Sequence, residues 1–364
     1  MPLPSGVAIV GAGPAGLLLA RGLLLRGIPF TLFDRDASAA SRPQGGMLDL
    51  HPDTGQQALR SVGLFESFLR IARYEDQGMR VFDRDGRLLM EKGAEGGDCP
   101  EVDRGPLRDM LLDALPAGCV RWGHALREAE ALPGGGFELR FGNGAARRFD
   151  FVVGADGAWS RVRPLLSRAE PIYAGLVYHE LSISDIDAAH PELSALVGRG
   201  TLVAKGGGKT LFAQRNANAQ VRVYAVLRQA LAADGRRAAP ASKAELLAAF
   251  ADWDSSLRRL IQAADEPARP WPIHALPVGH RWKGRDDVTL IGDAAHLMAP
   301  AGEGANLALR DACDLAAALG RDDWRAALRS HEARMFARAE LAAARAQRML
   351  AEGAAGDGRL REVS

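Results

Sequence analysis

The stretch that decides the fold is residues 7–34, VAIVGAGPAGLLLARGLLLRGIPFTLFD. Val7, Ala8, Ile9 and Val10 make a short apolar run rich in β-branched residues, the pattern of a strand buried on both faces. Gly11, Gly13 and Gly16 follow at G-x-G-x-x-G spacing and open an apolar helical run over residues 17–25, which Gly27 closes. A second apolar strand, residues 30–33, ends on Asp34. Each glycine has its own task. Gly11 permits a tight turn, Gly13 lets backbone approach a pyrophosphate, and Gly16 lets the helix pack closely on the sheet. Phosphates would sit where Pro14 and Ala15 begin the helix, because free N–H groups and the dipole there favour negative charge. Asp34 falls 18 residues after Gly16, where a carboxylate meets ribose hydroxyls. A bare G-x-G-x-x-G is a weak signal; strand, helix, second strand and terminal acid together define a dinucleotide site. On this stretch alone, NAD and FAD are equally good ligands.

The full chain of 364 residues can bury a large core and suggests two or three domains. Its 46 Lys and Arg nearly balance 45 Asp and Glu, so no net field draws it to nucleic acid or anionic membrane. Cys99, Cys119 and Cys313 are widely spaced with no C-x-x-C, which argues for a reducing compartment and against a zinc site or a dithiol flavoenzyme. Residues 17–25 are too few to span a bilayer, and no basic region precedes them. The expectation is a cytoplasmic protein, a monomer, whose partner is a small molecule.

Residues 44–51 mix glycine with apolar residues and read as a segment lying against a ligand. A helix is expected over residues 54–69, then a hairpin turning at Asp83-Arg84-Asp85-Gly86. A helix over residues 106–115 precedes strands and hairpins that fill residues 120–153. Two further buried strands end in Gly/Asp turns: FVVGADG, residues 151–157, and VTLIGD, residues 288–293. Between them residues 173–227 are strand-like, with Gly206-Gly207-Gly208 at a hairpin tip, and residues 231–264 read as mostly helical. Pro300-Ala301-Gly302-Glu303-Gly304-Ala305-Asn306 opens a long helix to residue 319. A last helix covers residues 325–351, and residues 352–364 read as a disordered tail. Without repeats or a clear linker, two domains must be interleaved. Residues 1–74, 101–166 and 277–324 form the nucleotide-binding domain; residues 75–100 and 167–276 form a substrate domain.

Three strand ends, Gly11-x-Gly13, Gly154-Ala155-Asp156-Gly157 and Gly292-Asp293, are more informative together than singly. They resemble the three fingerprints of class A flavin-dependent monooxygenases, the para-hydroxybenzoate hydroxylase-like group. SRPQGGMLDLHPDTGQ (41–56), residues 102–108, DWDSSLRRLI (252–261) and VTLIGDAAHLMAPAGEGAN (288–306) look similar to stretches of its tetracycline-inactivating members. The resemblance covers nearly the whole chain. It implies an α/β fold in which a Rossmann-like FAD-binding domain is interleaved with a β-sheet substrate domain and followed by a long C-terminal helix. Carried across by motif, Asp34 accepts the adenosine ribose, Arg35 flanks adenine and Arg42 contacts NADPH. Asp49 and Arg104 meet the flavin, Asp156 serves FAD or NAD(P)H, and Gly292 and Asp293 hold the ribityl chain. The plainer readings are surface charges for Arg42 and Arg104 and a helix cap for Asp293. Amides of Gly304, Ala305 and Asn306 would stabilise negative charge on reduced flavin, while Pro300, Gly302 and Gly304 let backbone pass close to the ring. The family usually has Gln where this chain has Glu303.

The activity implied is an FAD-dependent monooxygenase that consumes NADPH, with NADH as the alternative, and O2. Through a C4a-hydroperoxyflavin it would hydroxylate an electron-rich aromatic, quinone-like or polyketide molecule, tetracycline-like ones included. The flavin performs the chemistry, so no catalytic side chain and no metal is expected, and His51 and His296 read as supports. On an ungapped match, Glu180, Thr201, Phe212, Arg222 and Tyr224, with Pro300 and Gly302, are the substrate-binding residues; only Phe212 keeps the residue type of the tetracycline-inactivating relative. The competing readings are a flavin oxidase or halogenase on the same scaffold, or a non-catalytic flavin-binding protein. The halogenase W-x-W-x-I-P signature is absent, and Trp271-Pro272-Ile273 does not supply it.

Overall fold

A computed structural model describes residues 6–232 and 235–355. β1 (Val7–Val10), α1 (Pro14–Leu24) and β2 (Phe30–Phe33) form the expected strand–helix–strand unit, with β1 wholly buried. After β3 (Met47–Asp49), residues 54–69 are not one helix. A distorted turn over Pro52–Gln56 leads into α2 (Gln57–Ser61), and α3 (Phe65–Leu69) is separate. Gly63 at φ +72° ends α2, with Leu64 N donating to Leu59 O (2.9 Å) and Gly63 N to Arg60 O (3.1 Å). That paired closure terminates a helix because it satisfies the last carbonyls. β4 (Gly78–Asp83) and β5 (Leu88–Lys92) make the expected hairpin. β6 (Glu101–Asp103) pairs with β3, and α4 (Arg104–Asp113) leads to β7 (Val120–Arg121). β8 (Leu126–Ala131), β9 (Phe137–Phe141) and β10 (Ala146–Phe149) form a meander, followed by β11 (Phe151–Gly154).

The second sheet is built from β12 (Ile172–Ile183), β13 (Gly200–Gly206), β14 (Lys209–Arg215), β15 (Val221–Arg228) and β16 (Asp265–Ala275), joined by β4 and β5. Its order is β16-β12-β15-β14-β13-β4-β5. Gly207 and Gly208, both at positive φ, turn β13 into β14 as expected. α5 (Ile186–Ala189), α6 (Pro191–Val197), α7 (Lys243–Ala249) and α8 (Ser255–Gln262) cover one face, where Leu193, Leu246, Phe250, Leu257 and Leu260 pack on Leu202, Ala213 and Val223. Helix therefore occupies less of residues 231–264 than the composition suggested. α7 cannot start before Ser242, whose capping box with Glu245 follows Pro240, and Asp254 caps α8 afresh.

β17 (Val288–Leu290), α9 (Asp293–His296), α10 (Gly304–Leu319) and α11 (Trp324–Ala355) complete the chain. The parallel sheet runs β17-β11-β1-β2-β7. α1, α4 and α10 bury one face of it, and the meander, Trp282 and Met335 bury the other. α1 and α10 cross so closely that a Cβ at Gly22 would lie 2.6 Å from that of Ala316. α11 continues through Ala355, so the segment expected as a tail begins as helix; residues 356–364 lie outside the described residues.

Candidate active site

Parallel pairing in register brings the three fingerprints to one edge. Val10 sits opposite both Phe33 and Gly154, and Gly154 opposite Leu290. The turns that follow each strand therefore emerge side by side at the carboxyl ends, where open α/β sheets bind ligands. Gly11, at φ +109°, passes so near the second turn that a Cβ would fall 2.3 Å from Ala155 O; one on Gly16 would fall 1.9 Å from Gly11 O. A Cβ on Gly13 meets nothing within 4 Å. Two glycines thus serve packing, and the third faces open space at the start of α1, where Ala15 and Gly16 N–H have no intrahelical acceptor. Buried Asp34 accepts from Ala12 N (2.7 Å) and Asp36 N (2.8 Å), so it fastens the glycine loop as well as ending β2. Arg108, which the motif reading passed over, fastens the loop from the other side through Ala12 O (3.3 Å) and Ala39 O (2.7 Å). Arg35 is exposed, and Arg42 reaches Asp36 at 3.0 Å on the surface.

In the second turn, Asp156 accepts from Arg161 N (2.7 Å), while its other oxygen is buried with no hydrogen bond among the described residues. Burial pushes its pKa up. Buried Arg163 ties this turn to the third by donating to Ala158 O (2.8 Å) and Ala294 O (3.1 Å). Gly292, at φ +60°, fits between Ala15 and Ala308. Asp293 is exposed and caps nothing; the N-cap of α9 is Gly292, and the Asp293 carboxylate makes no hydrogen bond or ion pair among the described residues.

Beneath this turn lies a buried ionic cluster that the motif reading did not anticipate. Asp311 accepts from Gly292 N (3.3 Å), stands 2.6 Å from His296 Nε2, and receives Arg338 of α11 at 3.3 Å. Burial opposes charge on His296, but the attraction and hydrogen bond of Asp311 outweigh it, so the His296 pKa is raised and that of Asp311 lowered. Neighbouring His331 is fully buried with neither ring nitrogen hydrogen-bonded among the described residues, and burial pushes it down to about 4. His296 and the Gly292 N–H of the turn thus share one carboxylate, Asp311.

At the start of α10 the Asn306 side chain is held within the protein. It accepts from His51 N (2.8 Å) and Gly55 N (3.3 Å) and donates to Asp49 O (2.9 Å) and Gly302 O (3.2 Å). It is spent on clamping β3 to the Gly302 turn, leaving only its backbone N–H for a cofactor. Gly304, Ala305 and Asn306 N–H lack intrahelical acceptors, and a Cβ on Gly304 meets nothing within 4 Å. Gly302 is at φ +84°, and a Cβ there would lie 3.7 Å from the Asp49 carboxylate. His51 bonds Asp49 at 2.9 Å, which raises the His51 pKa against the effect of burial. Glu101, paired across from Asp49, is pushed up to about 8 by burial and then by the Asp49 charge. Glu303 meets Arg345 of α11 at 3.4 Å, and Pro300 is exposed.

The five residues expected at the substrate all lie on the sheet face opposite the α5–α8 core. Glu180 pairs across from Tyr224, Tyr224 from Phe212, and Thr201 from Gln214, which pairs with Arg222. Tyr178 stacks on Phe212 with centroids 5.9 Å apart and planes at 22°. Arg222 forms an ion pair with Glu180. A Cβ on Gly46 would lie 2.7 Å from Tyr224 Oη, so the loop before β3 abuts this face. Arg104 lies between the third turn, at Asp293, and the second sheet, at Tyr224 and Glu180. Protein closes round it, so burial lowers its pKa against the pull of Asp293, Tyr224 and Glu180, yet over a third of its surface is open. Those two facts describe a side chain crowded by protein on most sides and open on one. Among the described residues no group of three or more His, Cys, Asp or Glu could hold a metal, and no helix is long and apolar enough to cross a membrane.

An edge of this kind, facing a second sheet and backed by a long C-terminal helix, defines the para-hydroxybenzoate hydroxylase-like flavoprotein class. The chain belongs to the family described as "FAD binding domain", which matches residues 5–322. It is 33% identical to monooxygenase penA of Penicillium thymicola over 85% of this chain and 83% of the relative. It is 31% identical to 3-amino-4-hydroxybenzoate 2-monooxygenase PtnB3 of Streptomyces platensis, covering 87% and 80%. Among solved structures, Klebsiella pneumoniae HpxO complexed with FAD and uric acid shares the fold at a TM-score of 0.80 and 22% identity, covering 97% of this chain and 89% of that one. Tetracycline destructase Tet(51) shares it at 0.68 and 19%, covering 98% and 92%.

Proposed function

We propose that this protein is a cytoplasmic, nicotinamide-dependent FAD monooxygenase that places one atom of O2 on an electron-rich aromatic or polyketide ring. The observation that carries the reading is the shared edge of three Gly/Asp turns, with Gly13 and Gly304 facing open space and the Asp293 carboxylate making no hydrogen bond or ion pair among the described residues. FAD, when bound, supplies the redox chemistry: it takes hydride from the nicotinamide and activates oxygen. The chain's own residues bind, orient and exclude water. Ala15 and Gly16 N–H would hold the pyrophosphate, Asp34 the ribose and Asp293 the ribityl hydroxyls. N–H groups of Gly304, Ala305 and Asn306 would stabilise negative charge on the reduced ring, and Arg104 would add a fixed positive charge close by. Tyr178 and Phe212 offer a flat aromatic surface to a planar substrate. Tyr178 and Tyr224 are pushed up to about 12 by burial, so both remain neutral hydrogen-bond donors.

The test is to purify the protein, record its visible spectrum and follow NADPH and NADH oxidation with phenolic and polyketide candidates. Bound flavin with substrate-stimulated nicotinamide use is expected. Colourless protein that takes up no FAD would sink the reading. Bound flavin with no stimulation across the panel would favour the oxidase or carrier. Asp293→Ala should lower flavin content; unchanged content would remove the ribityl assignment.

A further inference from the structure

At the centre of the substrate face one charged pair is closed on itself. Glu180 on β12 is 7% exposed, and the Arg222 side chain on β15 is 20% exposed. Arg222 Nη1 donates to Glu180 Oε1, and Arg222 Nε is buried with no hydrogen bond among the described residues. Around the pair stand Tyr224, Phe212 and Gln214, and the Gly46 backbone closes over it, a Cβ there falling 3.2 Å from Arg222 Cδ. An arginine beside an aromatic surface is a ready counterion for a ring carboxylate, since its planar fork matches two oxygens. Here the protein already supplies that carboxylate.

The geometry points to a specificity device: Glu180 neutralises Arg222, so the site takes flat aromatic molecules bearing a neutral carbonyl, amide or hydroxyl and rejects the matching ring carboxylates. The inference rests on the functional reading above for the location of the site. A carboxylate ligand would place two anions on one guanidinium, or would displace Glu180 and leave it buried without its counterion; both are unfavourable. A neutral carbonyl needs only a donor, which the Tyr224 hydroxyl supplies. The other cations by this face are Arg104, drawn toward Glu180 and Tyr224, Arg228 at the far end of β15, Lys205 on β13, and Arg269 across from Glu180 on the edge strand β16.

The experiment uses the full chain incubated with FAD and matched ligand pairs: 2-hydroxybenzoate with 2-hydroxybenzamide, and 1-hydroxy-2-naphthoate with its amide. Calorimetry reads affinity, and the visible flavin spectrum reads occupancy beside the ring. The amide of each pair should bind at least about tenfold tighter, because unpaired buried charge discriminates strongly. Glu180→Gln should shift the preference toward the acid by roughly tenfold or more, and E180Q/R222Q should lose that gain. Should E180Q fail to fold, Arg222→Gln serves: it should weaken the acid further and keep the amide. Equal binding, preference for the acid, no response to E180Q, or no binding by either member overturns the inference. So does acid binding that Arg104→Gln, Lys205→Gln or Arg269→Gln abolishes. A protein that takes up no flavin defeats the functional reading instead, while calorimetry still reports the ligand preference.

Discussion

Gly13→Ala and Gly16→Ala, three residues apart in one motif, should fail in opposite ways. Gly13 has φ −77° and ψ 179°, ordinary for alanine, and its added methyl would meet no protein atom within 4 Å. Apo Gly13→Ala should therefore be as stable as the parent, or gain about 0.4–1 kcal/mol from a less flexible unfolded chain. The Gly16 methyl would lie 1.9 Å from Gly11 O and 3.1 Å from Gly11 C, so α1 must retreat by about 1 Å from a turn itself pinned against Ala155. Because the obstacle is backbone, relief by side-chain rotation is unavailable, and the cost should reach about 3 kcal/mol, the upper end of overpacking. At roughly 2 °C per kcal/mol for a chain of this size, apo Tm should drop by about 6 °C. Flavin affinity should behave the other way. The Gly13 methyl fills the space a pyrophosphate needs, and a loss of at least tenfold in Kd, about 1.4 kcal/mol, is expected. Thermal scans of both apo proteins, with FAD titrations followed by flavin fluorescence, give the four numbers. Gly13→Ala that binds FAD like the parent, or that melts as early as Gly16→Ala, would refute the assignment of roles.

Replacing Asp311 by Ala strands His296 in the interior, while Arg338 keeps Asp314, and should cost about 3 kcal/mol by thermal melting, with Asp311→Asn milder because an amide still accepts from Gly292 N. The folded His296 pKa is raised above 6.5, so its contribution is complete below pH 6.5 and is lost as pH rises through the folded value. Wild-type Tm should carry a downward alkaline limb that His296→Gln lacks; identical limbs would contradict the pairing. For Glu101, the folded pKa of about 8 stands above 4.5, so the fold favours the protonated acid and stability falls between pH 4.5 and 8. Glu101→Gln should then gain up to roughly 4 kcal/mol over wild type at pH 8 and little at pH 4, read by denaturant titration at the two pH values.

Much of this arrangement is legible in the sequence because its signals are local. Strand ends at Gly11, Gly154 and Gly292 are written within a few residues each, as are the turns at Gly86 and Gly207-Gly208. The split between α2 and α3 was missed although its cause, Gly63 in a left-handed closure, is equally local; apolar periodicity on either side masked it. The helical reading of residues 231–264 runs too far at its start because alanine is abundant there: described residues 235–241 are not helical, since propensity does not nucleate a helix without packing. The Asp311–His296–Arg338 cluster could not be read at all. Its members lie on three helices, and Asp311 alone looks like an ordinary polar position on an amphipathic surface. The Glu180–Arg222 pair is hidden for the same reason, since only the β12–β15 register brings the two side chains together. Asn306 was legible as a site residue but not as a clamp, because its partners lie some 250 positions upstream.

The order of strands in the parallel sheet has a consequence for the chain's synthesis. β11 is flanked by β1 on one side and by β17 on the other, and β17 is translated more than a hundred residues later. During that interval, roughly ten to thirty seconds at ordinary elongation rates, a nascent chain holds the wholly apolar edge FVVG with nothing beside it. The seven-stranded sheet has to assemble in the meantime as an insertion, and a ribosome that stops anywhere before residue 288 releases a product with a sticky open edge and no third turn. Flavin capture would therefore report that translation has passed the third turn and the start of α10.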